Sequence, residues 1–190
     1  MLFRSLIDKL TQAELVDLVR FLSELGKVGR FQVSRDRVVR RWQSFVPTKE
    51  AAYRLRRTRL ATVAQPDPAF TWKSAYSNVA GELPILEQPQ LPFKGPFQKT
   101  PEGLAIVRFE FDISTAGEID LTMSLTDGVT MWLDGDPLEP QATRRLNPKV
   151  GRHQVTLAIN TTRLGDLKTI SIHLEDVAGS SAQVQLVSGK

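Results

Sequence analysis

The chain has 190 residues, a net charge of +4 and 41% hydrophobic residues, values that are ordinary for a globular domain. It contains no cysteine, which excludes disulfides, thiolate metal sites, a cysteine nucleophile and a covalently attached c-type haem. No apolar run approaches the roughly 18 residues that a membrane-spanning helix needs, so we expect no membrane span.

The basic residues are concentrated in the first third of the chain. Residues 1–60 carry 14 Lys and Arg against 6 Asp and Glu, whereas residues 61–190 carry 11 against 15. Arg40, Arg41, Arg54 and Arg57 are the candidate contacts for a partner protein or an acidic polysaccharide. The alternative is that they form a solvated face. No nucleic-acid-reading module is recognisable, so we expect no nucleic-acid partner.

Two helices are predicted near the N-terminus. Thr11 and Glu14 have the spacing of a capping box, and the apolar residues that follow recur with the period of a helix. Gly26 is the expected stop of this helix. A second helix is predicted over residues 48–60, with Thr48 as its N-cap.

Residues 61–103 are rich in proline and carry no sustained hydrophobic period. We interpret them as an extended connection with short strands near residues 70–76 and 83–86. An earlier strand is expected within residues 38–45, and another at residues 31–33, where β-branched and aromatic residues cluster. Because a structureless segment of this length is improbable in a compact domain, we expect it to pack over a sheet.

From residue 104 onward, apolar and polar residues alternate in about six short strands separated by turn signals. This spacing is typical of an antiparallel sandwich and not of βαβ units. We therefore predict a mainly β protein, an antiparallel β-sandwich or jelly roll with an N-terminal amphipathic helix and an irregular connection. The predicted divisions are a helical segment at 1–27, the connection at 28–96 and the sandwich at 97–190.

The segment from Asp127 to Pro137 is the best candidate for a ligand site. It predicts a strand at Val129–Leu133 and a tight turn at Asp134-Gly135. Trp132 does not share the alternation of the apolar residues Val129, Met131 and Leu133, so it is expected on the opposite face of the strand. It is either an exposed platform for a sugar ring or a core residue under the proline-rich connection or the N-terminal helix. Asp127, Asp134 and Asp136 supply oxygen ligands of the kind that calcium takes, but aspartate in Asp-Gly turns far more often serves turn geometry, so we expect no metal.

Residues 10–27, 38–42 and 76–84 together resemble stretches of one known family, the large planctomycete-type haem-binding or dehydrogenase proteins. Residues 10–27 are similar to the last helix of their cytochrome domain, and residues 38–42 and 76–84 are similar to the segment that follows it. The resemblance implies an exported protein in the periplasm or at the cell surface, although residues 1–9 have no signal-peptide core. The haem motif is absent, so no cofactor is expected. The resemblance then implies that the chain is a C-terminal remnant, or a separately encoded tail, of such a protein.

The β-region also resembles sugar-binding jelly-roll modules of the protective-antigen type. The resemblance comes from Gly117, from the run at 127–135 and from residues 151–155. It implies a carbohydrate ligand. Lectin members of that group bind calcium and sugar through an Asp-Asp pair, whereas this chain has Asp134-Gly135-Asp136 instead.

No catalytic motif stands out in the sequence. His153 shares the parity of the apolar residues in its strand, and His173 shares that of Ser171, so neither suggests a general base. No nucleophile elbow, phosphate loop or zinc-protease motif is present. We therefore expect a non-catalytic binding module with carbohydrate as the candidate ligand. The alternative is a structural accessory that docks onto a cytochrome or dehydrogenase partner.

Overall fold

The structure is a computed structural model that describes residues 11–24, 37–94, 100–165 and 168–187. The chain divides into two compact units, Met1–Arg35 and Asp36–Lys190. The strand expected at residues 31–33 and the helix stop at Gly26 lie outside the described residues.

The described part of the first unit is helix α1, Gln12–Glu24. Its N-terminus is a reciprocal capping box. The backbone N–H and hydroxyl of Thr11 each donate to Glu14 Oε2 at 2.8 Å, and the Glu14 N–H donates to Thr11 Oγ1 at 3.3 Å. Hydrogen bonds from the backbone and the hydroxyl of Thr11 lower the pKa of Glu14. The predicted helix and its cap are confirmed.

The second unit is built from antiparallel strands. Their bounds are β1 Arg41–Val46, β2 Thr71–Tyr76, β3 Leu83–Pro84, β4 Gln90–Phe93, β5 Glu102–Thr115, β6 Ile119–Met123, β7 Val129–Leu133, β8 Asp136–Leu138, β9 Thr143–Leu146, β10 Gly151–Asn160, β11 Thr169–Ile170, β12 Ile172–Asp176 and β13 Gln183–Leu186. Among the described residues, far more lie in strands than in helices, so the predicted mainly β class is confirmed.

Within the described residues, eight of these strands form one main sheet. Its order is β2-β1-β5-β10-β7-β8, and β4 and β13 also pair with β5. A second sheet has the order β12-β6-β9, and β3 and β11 form a small ribbon. Because β1, β2 and β4 belong to the main sheet, the proline-rich connection contributes strands to the same sheet as the residues after it.

The main core lies between the two larger sheets. Phe109 and Phe111 of β5 share one buried cluster with Leu121 of β6 and Leu174 of β12. Trp42 of β1 is fully buried there and packs edge-on to Phe109 at 5.2 Å between ring centroids. Two antiparallel sheets that share a core in this way form a β-sandwich.

A helix and a loop cover part of the other face of the main sheet. Helix α2, Lys49–Thr58, begins at Thr48, whose Oγ1 accepts the Ala51 N–H at 3.2 Å, as the sequence predicts. Its apolar side packs in a second buried cluster. The members are Phe45, Ala51, Ala52, Leu55, Val63, Ala64, Phe70, Leu91, Leu104, Ile106, Trp132 and Ala158.

The predicted hairpin is present at β7 and β8. Leu133 pairs with Asp136, which leaves Asp134 and Gly135 as a two-residue turn. Their φ angles are 54° and 92°, the two positive values that this kind of turn requires. Asp-Gly at this position is therefore explained by backbone geometry.

Candidate ligand-binding site

The part of the main sheet that α2 leaves open is polar. Strand pairing puts Gln43 of β1 beside Arg108 of β5, and Glu110 of β5 beside Gln154 of β10. On β5, the side chains of Val107 and Phe109 point into the main core. Because side chains alternate between the two faces of a strand, Arg108 and Glu110 lie on the opposite, outer face.

Arg108 is at the centre of this surface. Its guanidinium carbon lies 3.9 Å from the centroid of the Trp72 ring, and its Nε donates to Gln43 Oε1 at 2.6 Å. Its Nη1 also donates to Gln154 Oε1 at 3.4 Å. Burial lowers the pKa of Arg108, and the nearby Glu110 carboxylate opposes that effect. The guanidinium is thus fixed in orientation and partly removed from water.

Arg108 separates two clefts. The larger has a volume of about 610 Å³ and the smaller a volume of about 240 Å³. Lining residues of the larger cleft include Pro66, Pro68, Phe70, Trp72, Asp134 and Gln154. The smaller is lined by Arg41, Gln43, Glu110 and Arg152 among others. A single side chain therefore contacts both cavities.

The two glutamines beside Arg108 have a defined orientation. Each uses its Oε1 to accept from the guanidinium, so its NH2 group points elsewhere. No described residue accepts a hydrogen bond from either Nε2 atom. Gln43 lines the smaller cleft and Gln154 the larger. Each cleft is therefore provided with an amide donor next to a positive charge.

Of the three arginines that line the smaller cleft, one forms ion pairs with carboxylates of described residues and two do not. Arg152 contacts Asp112 at 3.2 Å and Glu110 at 3.7 Å, and hydrogen bonding to Asp112 raises the pKa of Arg152. Within the part of the chain that the structure describes, neither Arg41 nor Arg108 has a carboxylate oxygen within 4.0 Å. Two cations without a close counter-ion therefore face this cleft.

Trp132 is not an exposed platform, and that interpretation of the sequence is wrong. The residue is 5% exposed and belongs to the second buried cluster, under α2 and the loop that includes Val63 and Phe70. An indole covered in this way offers no open face to a sugar. The alternative, that Trp132 packs under the proline-rich segment, is the one that the structure shows.

The carboxylate of Asp134 is hydrogen-bonded on both oxygens within the fold. Its Oδ1 accepts the Gln154 N–H at 2.8 Å, and its Oδ2 lies 2.6 Å from Nδ1 of His153. The other ring nitrogen of His153 lies 2.7 Å from the Lys149 carbonyl oxygen. Both partners are acceptors, so the arrangement suits a doubly protonated imidazolium. Burial opposes that charge, but the hydrogen bonds to Asp134 and Lys149 outweigh it and raise the pKa of His153.

The three candidate acidic residues do not converge. Asp127 precedes β7 and Asp134 follows it, and a five-residue strand spans about 15 Å. Asp136 is exposed, and its carboxylate makes no hydrogen bond or ion pair to a described residue. Among the described residues, no group of three His, Asp or Glu side chains is arranged to bind a metal ion.

The four candidate arginines are also distributed over different places. Arg40 donates to the Val79 carbonyl at 3.0 Å and so holds a turn. Arg54 pairs with Glu50 at 2.8 Å and with Asp67 at 2.9 Å. Arg57 lies over the Tyr53 ring at 5.7 Å on α2. Arg41 is the one of the four that lines the cleft beside Arg108.

Sequence reasoning missed the residues at the centre of this surface, which are Gln43, Trp72, Arg108 and Gln154. A partial signal was present, because each lies in a predicted strand at a position opposite to the core side chains. What the alternation does not reveal is which strands are neighbours. The contact between Trp72 on β2 and Arg108 on β5 depends on β1 lying between them.

No helix in the described ranges combines the length and the apolarity needed to cross a membrane. The chain matches no protein-family model, no curated protein and no solved structure. The resemblances to planctomycete-type haem proteins and to protective-antigen-type modules stay predictions.

Proposed function

We propose that this protein is a non-catalytic binding module whose ligand is a carbohydrate, bound on the outer face of the main sheet around Arg108. The observation that carries the proposal is the stack of Arg108 on Trp72, flanked by Gln43 and Gln154 beside two open clefts. Planar polar side chains of fixed orientation suit a ligand with closely spaced hydroxyl groups.

The proposed site differs from the one that the sequence suggests. The aromatic residue is Trp72, which is half-buried, and not the buried Trp132. The neighbouring Asp134 contributes through the hairpin turn, because its carboxylate binds the backbone of Gln154 and so positions that strand beside Arg108. Calcium has no part in this mode of binding.

Glycan-array screening of the whole chain, followed by calorimetric titration of the best oligosaccharide, tests the proposal. We expect binding to fall in Gln43→Ala and Gln154→Ala, because each change removes an amide donor and a hydrogen-bond partner of Arg108. Arg145→Gln, on β9 of the other sheet, is the control and should leave binding unchanged. Absence of any glycan signal with the folded chain would contradict the proposal.

A second candidate function is docking onto a partner protein such as a cytochrome or dehydrogenase. One observation favours it: Tyr53 on α2 is 60% exposed and lies beside Arg57, an aromatic and arginine pair of the kind enriched at interfaces. Tyr53→Ala should then weaken binding of a purified c-type cytochrome in calorimetry and leave glycan binding unaffected. If the cytochrome does not bind the unmodified chain, this candidate fails.

A further inference from the structure

The two unpaired arginines of the smaller cleft point to the chemistry of the ligand. Arg41 and Arg108 both line this cleft, and neither has a carboxylate of a described residue within 4.0 Å. Arg152, the third arginine of the lining, is already paired with Asp112 and Glu110. The positive charge available to a ligand therefore comes from Arg41 and Arg108.

Arg108 gains from an added anion because it is half-buried and has no carboxylate of a described residue within 4.0 Å. A cation that has lost part of its hydration without a carboxylate in direct contact is incompletely compensated, and an anion that reaches it restores the lost interaction. The fork of a guanidinium matches the two oxygens of a carboxylate, and such charge-assisted pairs are among the stronger hydrogen bonds. The stack on Trp72 keeps the fork in place before the ligand arrives.

The size and charge of the cleft limit the anion. Its volume of about 240 Å³ is below the roughly 300–1,000 Å³ of sites for drug-sized ligands, so it suits one small group and not a chain of several units. Glu110 also lines it and adds a negative charge. A ligand with a single negative charge is therefore favoured over a phosphate dianion.

The larger cleft lies on the other side of Arg108. It has a volume of about 610 Å³, and its lining includes the half-buried Trp72, the prolines at 66 and 68 and the Gln154 side chain. That combination of apolar surface and an amide donor suits the rings of a saccharide. A ligand that crosses Arg108 would then have its charge on one side and its neutral rings on the other.

We propose that the ligand is a carboxylated saccharide, a uronic-acid-containing oligosaccharide, whose carboxylate binds between Arg108 and Arg41 while its rings extend past Trp72. This inference rests on the proposed carbohydrate-binding function and names its ligand class. Gln43 donates its NH2 group to the same carboxylate or to a neighbouring hydroxyl, because its oxygen is held by Arg108. Binding involves no covalent step.

The test is calorimetric titration of the whole chain with hexagalacturonate, with its fully methyl-esterified form and with poly-glutamate. We expect hexagalacturonate to bind at least about tenfold more tightly than the ester, since esterification removes the charge and keeps the rings. Arg108→Gln and Arg41→Gln should each weaken hexagalacturonate binding and reduce the difference between acid and ester. Arg57→Gln, which also removes an arginine that lies over an aromatic ring, is the matched control.

The outcomes separate this inference from the proposed function. Equal binding of acid and ester would overturn the carboxylate inference and leave carbohydrate binding in place. If poly-glutamate binds as tightly as hexagalacturonate, the site recognises carboxylates whether or not they are attached to a sugar, and the proposed ligand class is wrong. No binding of any saccharide would overturn both. Arg41 lies outside both buried clusters, so its variant remains informative if Arg108→Gln does not fold.

Discussion

The guanidinium carbon of Arg108 lies 3.9 Å from the centroid of the Trp72 ring, across the intervening strand β1. Trp72 is therefore expected to set the orientation of Arg108. Trp72→Leu keeps apolar bulk and removes the ring face, so the affinity for hexagalacturonate should fall about tenfold, in line with a cation–π contact of ~1–2 kcal/mol. Trp72→Phe should retain most of it. Calorimetry measures the loss, and Tyr53→Leu, which removes the ring under Arg57, is the control.

Trp132 is expected to matter for stability. Trp132→Ala removes a large side chain from the second buried cluster, and such a change in a core costs about 3–5 kcal/mol of unfolding free energy. Denaturant unfolding followed by circular dichroism measures this cost. Trp72→Ala, at a half-buried position, should cost less. A Trp132→Ala variant that keeps wild-type stability would contradict the burial of this residue.

The fold followed from sequence more readily than the site did. The alternation on β5 predicts a strand with one apolar face, and the Asp134-Gly135 pair predicts the hairpin, because both signals are local. The sequence does not decide whether Trp132 is buried, because the same alternation describes an exposed face and a face covered by another element. Only the packing of α2 and its following loop on the sheet decides between them.

The surface around Arg108 cannot be predicted from local sequence patterns alone. Gln43, Trp72 and Gln154 reach Arg108 from three different strands, and the order of those strands comes from the global topology. The acidic residues near the hairpin are close in sequence, which alone makes them candidates for a shared site. In the fold, the extended strand β7 separates Asp127 from Asp134.

The pair of His153 and Asp134 should make stability depend on pH. The pKa of His153 is raised in the folded state, so its contribution to stability is complete below its unfolded value of about 6.5 and is lost as pH rises through the folded value. Thermal melts should therefore show a decrease in Tm above pH 6.5 that is absent in His153→Gln. Asp134→Asn should reduce the decrease, because it removes the charge that faces Nδ1. An identical pH profile in His153→Gln and the unmodified chain would contradict this assignment.

Gly81 and Gly179 form a matched pair for testing the packing beside β1. Their φ angles are +85° and +82°, so an alanine suffers the same backbone strain at either position. A Cβ at Gly81 would lie 2.5 Å from Cγ2 of Val38, whereas nothing lies within 4 Å of one at Gly179. Gly81→Ala should thus destabilise the protein by about 1–3 kcal/mol more than Gly179→Ala in denaturant unfolding. Equal losses would show that Val38 does not pack against this turn.

The most direct test of the Arg108 site is a titration of the ¹⁵N-labelled chain with trigalacturonate, observed through side-chain N–H signals. We expect the Arg108 Nε–H and Trp72 indole N–H signals to shift with one saturation curve while the buried Trp132 indole signal stays in place. Shifts confined to the arginines of α2, or a Trp132 signal that moves while Arg108 stays unchanged, would contradict binding at Arg108.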